Sequence, residues 1–83
     1  DAEIYNNLGL TLFYLGRPDD ALRWLNEGVA KDAEHQRIWL TLGYVNSQLG
    51  NTEQARAALT NAIQVGGNAS ISESAERMLA ELP

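Results

Sequence analysis

Residues 4–16, IYNNLGLTLFYLG, and residues 38–50, IWLTLGYVNSQLG, are two versions of one segment. Laid over each other they match at Ile4 and Ile38, Leu8 and Leu42, Gly9 and Gly43, Leu15 and Leu49, and Gly16 and Gly50. The 34-residue register continues without a gap, so that Ala21 meets Ala55 and Leu25 meets Leu59. Similar pairs fill the space between: Tyr5 with Trp39, Asp19 with Glu53, Gly28 with Ala62, and Val29 with Ile63. A fixed period of this length marks a stacked architecture, in which each unit buries its apolar face against the next.

Each unit has the spacing of two helices. At about 100° per residue, Ile4, Leu8, Thr11, Leu12 and Leu15 share one side of the first helix. Ile38, Leu42, Val45 and Leu49 do the same in its counterpart, and both stripes are expected to face the core. Gly16 and Gly50 follow, where a helix end favours a left-handed residue without Cβ. The second helix of unit one opens at Arg17-Pro18-Asp19-Asp20, with proline suited to the first helical position and acids to the positive helix end. In unit two the opening is Asn51-Thr52-Glu53-Gln54, with Asn51 as the expected N-cap. Apolar spacing continues through Ala21, Leu22, Leu25, Gly28 and Val29, then through Ala55, Leu59, Ala62 and Ile63.

Gly66-Gly67 stops the fourth helix, and Ser70-Ile71-Ser72-Glu73 has the form of a capping box. The last helix carries Ile71, Ala75, Met78, Leu79 and Leu82 as a narrow stripe, with Glu73, Glu76, Arg77 and Glu81 off it. The spacing therefore predicts five helices over 2–15, 18–31, 36–49, 52–65 and 71–82. No stretch shows strand alternation followed by a hairpin signal.

This 34-residue helix–turn–helix unit resembles the tetratricopeptide repeat family, whose pattern is an aromatic, two residues, Leu-Gly, and later Ala, three residues and a large apolar residue. Tyr5, Leu8, Gly9, Ala21 and Leu25 carry it once, and Trp39, Leu42, Gly43, Ala55 and Leu59 carry it again. The resemblance implies an all-α fold, a right-handed superhelix of antiparallel helix pairs in a single domain over residues 1–83. Repeat one would span 2–35, repeat two 36–69, and a capping helix 70–83. Gly9 and Ala21 suit that pattern because the paired helices must approach closely, and a larger side chain would push them apart. Three places depart from it. The late aromatic of the first helix is Leu12 and then Asn46, the proline before the next unit is Ala33 and then Gly67, and Gly28 replaces a mid-helix alanine at a propensity cost of about 1 kcal/mol.

Composition narrows the function. The net charge is −5, and Arg17, Arg23, Lys31, Arg37, Arg56 and Arg77 are scattered, whereas nucleic-acid binding needs a basic face to displace counterions from phosphate. Cysteine is absent, which removes disulfides, thiolate nucleophiles and thiolate metal sites together. No segment approaches the roughly 18 apolar residues of a membrane span, so membrane insertion is not expected. His35 has no second His and no Cys beside it, and reads as a solvated turn residue rather than a zinc ligand. Asp19 and Asp20 read as helix-start charges rather than a catalytic pair, which would have to face each other across a substrate. Asn68-Ala69-Ser70 is a formal glycosylation acceptor that the turn and the cap explain better. Trp24 is open between outer packing and an exposed contact. No catalytic centre, cofactor or metal site is expected.

In the family that this chain resembles, the first helices of the units line a concave groove that binds peptides or helices of partner proteins. Unit one offers Asn6, Leu10, Phe13 and Tyr14 opposite its core stripe; unit two offers Leu40, Tyr44, Ser47 and Gln48, with Arg37 and Thr41 nearby. A protein or peptide partner there is the expected function, and packing of the same residues against a neighbouring repeat or subunit is the alternative. Chaperone-tail-binding members use a clamp of Lys, Asn and Arg side chains for a terminal carboxylate. The matching places here hold Asn6, Leu10 and Thr41, so no such clamp is assembled. The first helix is apolar on nearly all sides and the chain opens at Asp1 directly into it. Residues 2–15 are therefore expected to be covered, by upstream sequence of a longer solenoid or by a second copy in a homo-oligomer.

Overall fold

Gly16 and Gly50 take φ of 81° and 79°, and each ends a helix as the pattern predicts. The computed structural model describes residues 1–83, and the chain forms five helices: α1 (Glu3–Tyr14), α2 (Pro18–Lys31), α3 (Gln36–Gln48), α4 (Thr52–Val65) and α5 (Ala69–Glu81). There are no strands. The bounds of α2 and α4 are those the sequence predicts, and the others shift by one or two residues at an end. Helices α1 and α2 form one pair, α3 and α4 the second, and α5 packs across α4 and α3. Helix α3 is the hub, touching all four others.

The two pairs close by the same contact. A Cβ at Gly9 would lie 2.5 Å from Leu25 Cγ, and one at Gly43 would collide in the same way with Leu59. The glycines thus let Leu25 and Leu59, both fully buried, reach the backbone of the facing helix. Gly28 has its own cause. A methyl there would sit 2.8 Å from Tyr5 Cβ and 3.0 Å from Ile38 Cδ1, so the departure from alanine belongs to the junction between the repeats. The principal apolar cluster lies at that junction, with Leu25, Val29, Ile38, Leu42, Val45 and Ala58. A smaller one joins Leu59, Ala62 and Ala75 beneath α5.

Several expectations need correction. On α1 the buried residues are Asn6, Gly9 and Leu12, not the full stripe. Ile4 and Leu15 are 63% and 68% exposed, whereas Ile38, the counterpart of Ile4, is fully buried. For Ile4 the physical reason is neighbourhood, since α3 has α2 of the preceding pair packed against it and α1 is packed only by α2 and α3. Leu15 and its counterpart Leu49, also expected in a core stripe, are the C-cap residues of their helices, and both are exposed. The N-cap of α5 is Asn68, not Ser70; its Oδ1 accepts from Ile71 N–H at 3.2 Å. Asn51 makes no cap bond at α4 and instead donates from Nδ2 to Asn46 Oδ1 at 3.1 Å. His35 is no solvated residue but the N-cap of α3, with Nδ1 accepting from Ile38 N–H at 3.3 Å. Trp24 packs on Tyr5, with ring centroids 5.9 Å apart.

A side chain that periodicity did not single out ties the last three helices together. Gln36 is buried, and its Nε2 donates to Ala62 O and to Ser72 Oγ, both at 2.9 Å. Its Oε1 accepts from Asn68 N–H at 2.9 Å. One amide at the start of α3 thus satisfies groups at the end of α4 and the start of α5. It fixes where the last helix lies, and with it one wall of the groove described next.

Candidate functional site

On α1 and α3, the residues facing away from their partners α2 and α4 are Leu10, Tyr14, Leu40, Thr41 and Tyr44. Together with Met78 of α5 they line an open socket of about 290 Å³. Five of these six were expected in a groove from sequence. Met78 was not, having been assigned to the stripe that covers the last repeat. It does both, being partly buried against the Leu59–Ala62–Ala75 cluster while it walls the socket.

The remaining expected groove residues separate by role. Asn6 and Thr41 are both buried, and Thr41 Oγ1 donates to Asn6 Oδ1 at 2.6 Å. That bond joins α1 to α3, so Asn6 is spent on packing, and Thr41 forms the socket floor with its hydroxyl already engaged. Phe13 is half-buried against the core, and its ring meets Tyr44 edge-on with centroids 5.7 Å apart. It positions Tyr44 rather than lining the socket. Arg37 is exposed near the start of α3 and lines neither this socket nor its neighbour. Gln48 lines that neighbour, a second hollow of about 310 Å³ shared with Tyr44, Ser47, Met78, Glu81, Leu82 and Pro83.

Tyr44 is the residue common to both hollows on the α3 side. Its phenol is held above the ordinary tyrosine pKa, first by interaction with the Tyr14 phenol and then by partial loss of water. At neutral pH it is uncharged, so the socket is an apolar surface edged by two hydroxyl groups. Such an arrangement suits a large apolar side chain with a hydrogen-bonding group beside it, the composition that dominates contact energies at protein interfaces.

On the other side of α3, a cleft of about 360 Å³ contains Leu22, Asn26, Trp39, Asn51 and Asn61. Several of its amides are already used within the chain. Asn26 Nδ2 donates to Leu22 O at 2.9 Å and Asn46 Nδ2 to Leu42 O at 3.0 Å. The Trp39 indole N–H donates to Ala33 O at 2.7 Å. This cleft is a seam between packed helices, whereas in the socket around Tyr44 the Thr41 floor is tied by a hydrogen bond to another helix of the core, and Leu10, Leu40 and Met78 present apolar side chains.

No helix is long and apolar enough to cross a membrane. A family model described as tetratricopeptide repeat matches residues 2–70, which takes in both helix pairs and only the first two residues of α5. No curated protein matches the chain.

Proposed function

The chain belongs to the tetratricopeptide repeat family, and from that premise we propose a non-catalytic module that binds a helix or peptide of a partner protein in the groove between α1, α3 and α5. The family supports protein–protein interaction in general. The observation that carries the finer reading is the open socket of Leu10, Tyr14, Leu40, Tyr44 and Met78, an apolar surface left partly exposed even though Leu40, Tyr44 and Met78 also lean on the core. Interface anchors of this kind, aromatic and central, account for most of the affinity of a typical complex. Affinity capture with the intact chain and with Tyr44→Ala, using Gln64→Ala as an outer-face control, tests it. A partner held by the intact chain and by Gln64→Ala, but lost with Tyr44→Ala, is the expected result; retention by Tyr44→Ala would overturn the groove.

A second reading, of a scaffold unit whose first helix is covered by another repeat or another copy, is favoured by the exposure of Ile4 and Leu15. Apolar side chains of this size on one helix face are the kind of patch that association covers. The two readings use different faces of α1 and are compatible.

A further inference from the structure

The groove has two compartments of unlike chemistry, and resting on the function proposed above we infer that its occupant is an amphipathic helix bearing a Lys or Arg one turn from its apolar anchor. Tyr44 and Met78 stand between the compartments and belong to both. On one side the lining has no charged residue at all: Leu10, Tyr14, Leu40 and Thr41. On the other side Ser47, Gln48 and Glu81 bring hydrogen-bond acceptors and a carboxylate, and no basic residue lines it.

The position of the second compartment in the fold adds to its polarity. Ser47 and Gln48 are the last residues of α3, and Glu81 is the last of α5. Two helices therefore end at this hollow with their negative poles. At α3 the last carbonyls already accept from Leu49, Gly50 and Asn51 N–H and from Ser47 Oγ, so that end contributes its dipole rather than free acceptors. At α5, Leu82 N–H donates to Leu79 O and Pro83 has no N–H to offer. Glu81 makes no ion pair within the chain. Arg77, one turn earlier, donates instead to Ser74 Oγ at 3.4 Å. Arg56 donates to Pro83 O at 3.4 Å from α4 and is not among the lining residues. A carboxylate with two helix C-termini around it favours a cation, and the net charge of −5 steers a basic segment in the same direction.

The common wall sets the spacing. Side chains three or four apart on a helix stand roughly 5–6 Å from each other on one face, which lets one enter the apolar socket while the next passes Tyr44 and Met78 to reach Glu81. This polarity is opposite to a clamp for a terminal carboxylate, and it excludes an acidic tail as occupant.

A displayed library of amphipathic helices, randomised at the groove-facing positions and selected against the intact chain, tests the inference. Binders whose capture is lost with Tyr44→Ala should be enriched about fivefold in Lys or Arg three or four residues from a Leu, Met or Phe. Repeating the selection on Glu81→Gln should remove the basic preference and keep the apolar one, with an unchanged helical circular dichroism spectrum. Tyr44-dependent binders with no charge preference, or with Asp or Glu at that place, would overturn the cation compartment while leaving the groove standing. Binders indifferent to Tyr44→Ala would overturn the groove itself and the inference with it.

Discussion

Thr41 Oγ1 donates to Asn6 Oδ1 across 2.6 Å, and this buried bond joins α3 to α1 beneath the apolar socket. It connects residues 35 apart, one more than the repeat period, so the two units are tied by a polar contact that neither makes within itself. Cutting it on one side leaves a buried amide without its partner. Thr41→Val should cost about 1–3 kcal/mol, and Asn6→Leu with Thr41→Val together should cost less than the two single changes added. A double-mutant cycle in urea checks this; strict additivity would mean that the bond does not hold the groove floor.

Gln36 predicts a second loss, at the far wall. Gln36→Leu removes three hydrogen bonds to Ala62, Asn68 and Ser72. Amide exchange should accelerate first in residues 69–81, and global stability should fall by about 1–3 kcal/mol. Uniform acceleration over all five helices would show that α5 is held by its apolar stripe alone.

Close approach predicts a contrast between neighbours on α3. Gly43→Leu should destabilise by at least about 1–3 kcal/mol, because Leu59 occupies the space. Gln48→Leu, on the exposed rim, should change the melting temperature little. A reversed ranking in thermal melts would contradict the assignment of faces.

What the sequence made legible was whatever repeats or recurs along one helix. The starts of Pro18–Lys31 and Thr52–Val65 were readable because Gly16-Arg17-Pro18 and Gly50-Asn51 mark them locally, and Gly66 marks the end of the second. Leu10, Tyr14, Leu40 and Tyr44 were readable because helical spacing places them opposite the paired helices. Asn6 was misplaced because amphipathic spacing assigns an amide to the open side, and only the register of α1 on α3 shows Thr41 opposite it. Gln36 and Met78 were missed for the same cause, their partners being on other helices. Ile4 was assigned to the core because helical spacing puts it on one side with Leu8 and Leu12, yet it is exposed while its counterpart Ile38 is buried beside the preceding pair.

Tyr44 gives a prediction in pH. Its folded-state pKa is raised, with the Tyr14 phenol as the first cause. The stability this contributes is fully present below the unfolded value of about 10 and is lost as pH rises through the folded value. Stability and groove binding should therefore show no tyrosine-linked change between about pH 6 and 9. Tyr14→Phe should bring the Tyr44 titration, followed by its ring proton shifts, back toward the ordinary range. An unmoved titration would mean that the two phenols do not interact.

The proposed function is tested most directly by mapping amide chemical shifts of the isotope-labelled chain as the partner recovered by affinity capture is added. The account predicts that the largest changes cluster at Leu10, Leu40, Tyr44, Gln48 and Met78, on three helices that meet only at the groove. Changes confined to Ile4, Leu8 and Leu15, or to Trp39 of α3 and Asn61 of α4 in the cleft on the other side, would contradict it.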